Sequence, residues 1–141
     1  MLKLKQKIYK LIRKHGKLTG SRAWKVHNKD SDYDYIVPEK IYHQLNIIKG
    51  IEKVIKFHDQ KIDPDYDGNP TFYFEYRGRT INVISPVGIE NEAWIWASEC
   101  IKFLPFPGAI KDRNKRIEVF KRLRGFYIQN LGGYTGDKLS F

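Results

Sequence analysis

Asp32 and Asp34, in the run Ser31-Asp-Tyr-Asp-Tyr-Ile-Val37, are two carboxylates one residue apart at the mouth of an apolar segment. In a strand, side chains at i and i+2 share a face, so the pair projects together while Tyr33 and Tyr35 project the other way. Like charges held so close are costly unless a cation sits between them. Hard cations such as Mg2+ are commonly bound by one or two carboxylates together with substrate phosphates. Upstream, Leu18-Thr-Gly-Ser-Arg-Ala-Trp24 carries a glycine-serine turn. Gly20, without a Cβ, lets the backbone bend sharply and a bulky anion approach. The N–H groups of Ser21 and Arg22, the Ser21 hydroxyl and the Arg22 guanidinium then offer donors to a phosphate. Either half alone is ordinary turn or strand chemistry, with aspartates accepting from nearby N–H groups. Together they point to metal-assisted phosphate chemistry.

The joint pattern resembles the DNA polymerase beta-like nucleotidyltransferase superfamily, especially its small single-domain members. The match lies in Gly20-Ser21, Arg22-Ala23, Asp30-Ser31 and Asp32-x-Asp34 at their observed spacing. It is specific over residues 18 to 37, and beyond them it concerns only the order of elements. The resemblance implies transfer of a nucleoside monophosphate from an NTP to a hydroxyl or similar acceptor on a protein, a nucleic acid such as RNA, or a small molecule. It implies Gly20 and Ser21 on the triphosphate and Asp32 and Asp34 as catalytic ligands of Mg2+ or Mn2+; Arg22, by its guanidinium, and Lys25, which could reach a phosphate or point into solvent, are further nucleotide-binding candidates. Two positions depart from the pattern. The third catalytic position, a carboxylate in the family, falls on Asn82 in Ile81-Asn82-Val83; an amide can ligate or accept but cannot serve as a general base. Lys25 stands where the small members commonly have glycine. Glu75 and Asp30 are weaker candidates for a third acid, because Glu75 shares a face with Tyr73 and Arg77 and Asp30 sits in a polar spacer. Asn82 leaves an alternative open, a catalytically degenerate relative that binds nucleic acid, nucleotide or a protein partner.

Bulk properties set the frame. The chain has 141 residues, enough for one domain with a real core, and a single cysteine, Cys100, which cannot form an intrachain disulfide. Cys100 is expected as a small buried residue on a helix. No apolar run reaches membrane-spanning length and the first residues alternate lysine with leucine, so a cytoplasmic protein with no membrane partner is expected. Twenty-six Lys and Arg against sixteen Asp and Glu leave a formal charge of +10, which favours polyanions, nucleic acid foremost. The cations crowd the first and last segments. Lys111, Arg113, Lys115 and Arg116 are candidate nucleic-acid contacts, and if the two terminal segments pack side by side they form one basic surface.

The elements that must position these residues follow from periodicity. Leu4, Ile8, Leu11 and Ile12 predict an amphipathic helix over 2–14, ended by Gly16. A short strand over 18–20 delivers the turn, a strand over 33–37 carries the carboxylates, and Pro38 opens a helix to about residue 49 with Ile41, Leu45 and Ile48 inward. Alternation predicts a strand over 51–57, then a polar loop over 58–70 whose aspartates Asp59, Asp63, Asp65 and Asp67 lack EF-hand spacing. Residues 71–76 and 79–85 read as a hairpin turning at Arg77-Gly78. Ser85-Pro86 caps a helix whose Trp94, Trp96, Ile101 and Phe103 pack into the core, and a basic helix runs from about 110 to 131 after Pro105 and Pro107. The expected fold is α/β (α+β), a nucleotidyltransferase-like mixed sheet flanked by helices with two C-terminal helices appended. One domain covers 1–131, with its core to about residue 86, and a flexible tail covers 132–141.

Overall fold

The computed structural model describes residues 1–58, 69–103 and 112–132. Four of the sequence-based readings, the loop aspartates, Pro105 and Pro107, Lys111 and the tail beyond residue 132, lie outside these residues. The fold is mixed α and β: α1 (Leu2–His15), β1 (Lys17–Thr19), α2 (Gly20–Ala23), β2 (Tyr33–Ile36), α3 (Glu39–Asn46), β3 (Thr71–Tyr76), β4 (Arg79–Ile84), α4 (Ile89–Lys102) and α5 (Arg113–Tyr127). The strands form one sheet in the order β1-β2-β4-β3. β1 runs antiparallel to β2, β2 parallel to β4, and β4 antiparallel to β3.

Alternation along each strand builds two cores on opposite faces of this sheet. On one face Tyr35, Val37, Phe72, Phe74, Ile81 and Val83 meet Ile8 and Ile12 of α1 and Ile41 and Leu45 of α3. Burial of each of these side chains contributes roughly 1.5–3 kcal/mol. On the other face Ile36 and Ile84 meet Trp94, Ala97 and Ile101 of α4 and Phe120 of α5. The terminal helices α1 and α5 therefore belong to different faces, and the single basic surface expected from side-by-side packing does not form among the described residues. Periodicity shows which stripe of a helix is buried; it does not show against which face.

Several boundaries differ for local reasons. The segment expected as a strand over 51–57 is a 3-10 turn, Ile51–Lys53, followed by one bridge, Lys56 to Tyr73. Ile51, Val54 and Ile55 are buried together, a spacing of three and four that suits a helical turn, and Gly50 enters it at φ +85°. Gly20 leaves the strand to open α2 at φ +71°. Pro38 caps α3 from outside, and the helix stops at Asn46, short of residue 49. Ser85 does not cap α4: its hydroxyl donates to the Val37 carbonyl, while Gly88 takes the cap position. Phe103 is 75% exposed, and Trp96 stacks on Phe126 outside both cores. Cys100 is half-buried, and burial with the neighbouring Glu99 raises its thiol pKa.

Candidate functional site

The sheet sets the site by register. Thr19 pairs with Asp34, Asp34 with Asn82, and Asn82 with Tyr73, one row across all four strands. Partners opposite one another share a face, and Ile36 and Ile84, two residues along from Asp34 and Asn82, fix that face as the one covered by α4 and α5. The carboxylate pair of β2 and the amide of β4 thus meet because the two strands are parallel and in this register. Asn82 Nδ2 donates to Asp34 Oδ1 at 2.9 Å and to Asp32 Oδ2 at 3.0 Å. Both carboxylates aim at one centre.

Their environments differ. Asp32 is exposed, while Asp34 sits deeper on the strand. Burial of the Asp34 carboxyl raises its pKa above the ordinary carboxylate value; the Asn82 amide opposes that, the Asp32 charge adds to it, and the charges of His58 and Arg113 oppose it more weakly. Gly20 is closed against the same carboxylate. A Cβ built there would run into Asp34 Oδ2, and φ +71° already lies in the left-handed region, so glycine is required twice over.

Arg22 turns away from the turn it follows. Its guanidinium donates to the carbonyls of Ser31 (3.0 Å) and Lys29 (3.2 Å) and lies 4.1 Å over the Tyr33 ring, clamping the spacer that leads into Asp32. Asn28 completes that spacer by accepting from the Asp30 N–H at 2.9 Å, so the turn is organised by the asparagine. Lys25 is exposed and holds φ +59°, the left-handed conformation that glycine adopts without strain. Glu75 is exposed and accepts from Thr80 at 2.8 Å, one pleat away from the Asp34–Asn82 row.

His58 is a site residue that sequence reasoning missed. Its Nε2 lies 2.9 Å from Asn82 Oδ1, and its ring packs on Tyr73 at 4.6 Å between centroids. With Nδ2 of Asn82 given to both aspartates, Oδ1 is the acceptor and the His58 Nε2–H donates to it. The one signal was the short bridge at Lys56, which no alternation pattern reveals.

No protein-family model, curated protein or solved structure compared with the chain matches it. The site must be read from its own geometry.

A cleft of about 230 Å3 opens beside the row. It is lined by Thr19, Gly20, Ser21 and Asp34, by the apolar Trp24, Ile84, Trp94, Ile117 and Phe120, and by the cations Arg113, Arg116, Lys121 and Arg124 of α5. The candidate nucleic-acid cations therefore divide. Arg113 and Arg116 line the cleft, whereas Lys115 is exposed and lies off it, its backbone N–H donating to the Asp112 cap. Arg116 is only 9% exposed. Among the described residues no group of three or more His, Cys, Asp and Glu is arranged to hold a metal ion. The point on which the two carboxylates converge is held by the Asn82 Nδ2 hydrogens; with that amide turned over, Oδ1 joins the carboxylates in an all-oxygen set that fits a hard cation taking its remaining ligands from phosphates and water.

Proposed function

We propose that this protein is a metal-dependent nucleotidyltransferase that moves a nucleoside monophosphate from an NTP to an acceptor, as its resemblance to the polymerase beta-like superfamily implies. The observation that carries the reading is the convergence of Asp32, Asp34 and Asn82 beside the Gly20-Ser21 turn and a cleft lined by cations. Asp32 and Asp34 would hold Mg2+ or Mn2+, which when bound neutralises charge on the attacking and leaving oxygens. Gly20 lets the chain turn closely past Asp34, and the Ser21 hydroxyl beside it would donate to the phosphates. The acceptor oxygen bonds to the α-phosphorus as the bond to the bridging oxygen breaks, and pyrophosphate leaves with that electron pair. Asn82 has no basic lone pair for the acceptor's proton, so that proton goes to the exposed Asp32 carboxylate or to water. RNA and protein hydroxyls are the acceptor classes to try first. No described helix is long and apolar enough to cross a membrane.

The neutral Asn82 favours a second reading, in which the same cleft binds nucleotide without transferring it. Calorimetry with Mg-NTP, together with transfer of α-labelled nucleotide to RNA and protein acceptors, separates the two. Expected are metal-dependent binding and label transfer, both lost in Asp32→Asn/Asp34→Asn. Binding without transfer selects the degenerate relative, and transfer that survives Asp34→Asn removes Asp34 from the site.

A further inference from the structure

We infer that the cleft grips a nucleoside triphosphate by its phosphates and by the face of its base, with α5 supplying the grip, so that the four common nucleotides bind alike. The inference rests on the nucleotide reading of the same cleft. Its starting point is the spacing along α5. Arg113, Arg116, Ile117, Phe120, Lys121 and Arg124 recur every three or four residues and so share one face. All six line the cleft. Arg122, paired with Glu118 at 2.7 Å and 79% exposed, belongs to the opposite face.

The cleft-facing stripe alternates charge with apolar surface, and each part meets a matching part of a nucleotide. Arg113, in the first turn of α5, lines the same cleft as Asp34, Gly20 and Ser21. Guanidinium forks and an ammonium in one cleft with a glycine-serine turn suit a triphosphate. Arg116 is nine-tenths buried in the cleft lining and places a further guanidinium there.

The apolar lining is aromatic and aliphatic. Phe120 meets Trp94 at 4.9 Å, edge to face, and Trp24 at 6.2 Å. Arg124 lies 5.5 Å over the Trp94 ring while also pairing with Glu90 at 3.5 Å. Trp94 and Phe120 are 7% and 8% exposed, so the half-buried Trp24 is the ring with surface left for a base, and stacking suits every base because every base has a π face. The nearby polar side chains are already committed: Thr19 and Ser98 share a hydrogen bond of 2.7 Å, and Trp24 Nε1 donates to the Ser98 carbonyl. Trp94 Nε1 is buried without a hydrogen-bond partner among the described residues, so it offers a base no edge contact by which one base would be told from another. Ligand pockets commonly run from about 300 to about 1,000 Å3, and at about 230 Å3 this open cleft falls below that scale, so it encloses part of a nucleotide while the rest extends into solvent.

The test is titration of ATP, GTP, CTP, UTP and inorganic tripolyphosphate, each with Mg2+, by calorimetry and tryptophan fluorescence on the full chain. The four NTPs are expected to bind within about threefold of one another, with tripolyphosphate weaker for want of stacking, by on the order of tenfold. Arg113→Gln and Lys121→Gln, both at exposed positions that spare the core, are expected to weaken every ligand by the same factor, about tenfold each. Arg122→Gln is expected to change nothing. A tenfold preference for one base overturns the inference, and so does binding that is lost in Asp32→Asn/Asp34→Asn but untouched by Arg113→Gln and Lys121→Gln; both leave the nucleotide reading standing. No binding of any ligand overturns both.

Discussion

At the scale of single residues the site is a contest over the Asp34 carboxylate. Burial and the Asp32 charge raise its pKa, and one amide from Asn82 opposes them incompletely. A carboxyl whose folded pKa is raised contributes stability below its unfolded pKa, and that contribution is lost as pH rises through the folded value. At neutral pH, above the unfolded value, the fold is therefore less stable without a cation than it would be with a neutral side chain at this position. Asp34→Asn keeps an oxygen to accept from Asn82 and removes the charge, so the variant is expected to melt higher than wild type at pH 7. The difference should shrink toward zero near pH 3, where Asp34 is neutral in both states, and differential scanning calorimetry across that range measures it. Equal melting temperatures at pH 7 would mean that the carboxylate is better solvated than its burial implies. Of these residues the sequence displayed the aspartate pair plainly, because i and i+2 on a strand leave no choice of face. Asn82 was legible only through its apolar neighbours, and His58 was hidden because the contact that delivers it is one bridge from a turn.

At the scale of elements, α5 matters most, since it carries the cations that line the cleft. Its first turn is held by Asp112, whose Oδ1 accepts from the N–H groups of Asn114 (2.8 Å) and Lys115 (3.2 Å). Asp112→Ala is expected to cost about 1 kcal/mol of stability. It should also loosen the turn that presents Arg113 and Arg116, weakening Mg-NTP binding although Asp112 itself does not line the cleft; urea unfolding and calorimetry read the two effects separately. An unchanged affinity would show that these cations are positioned from Phe120 inward. The elements themselves were largely readable. The apolar stripe of α1, the hairpin at Arg77-Gly78 and the β2 strand each repeat a clear period. The segment from Ile51 to Ile55 was not, because over five residues a helical turn and an alternating strand use nearly the same apolar letters.

At the scale of the whole molecule, the sheet separates two basic regions that composition alone would merge. Lys3, Lys7, Lys10 and Lys14 are exposed on α1, on the face away from the cleft. Layers pack about 10 Å apart, so the sheet and one helix layer put these charges roughly a Debye length or more from the cleft at 0.1 M salt. Replacing the four lysines by glutamine is expected to leave Mg-NTP affinity within about twofold while reducing retention on heparin, whose salt dependence follows the number of cations engaged. A matching loss of nucleotide affinity would mean that long-range attraction, and not the cleft wall, dominates binding. Which face each terminal helix covers is a property of chain path, and no residue on α1 or α5 announces it. The row from Thr19 through Asp34 and Asn82 to Tyr73 has a last implication. Were β4 to slip by one residue against β2, Ile81 or Val83 would replace Asn82 opposite Asp34, and the amide would turn into the core on the other face. The site thus works as a checksum on strand pairing: a molecule able to gather both aspartates around one centre has, by that fact, threaded its sheet in frame.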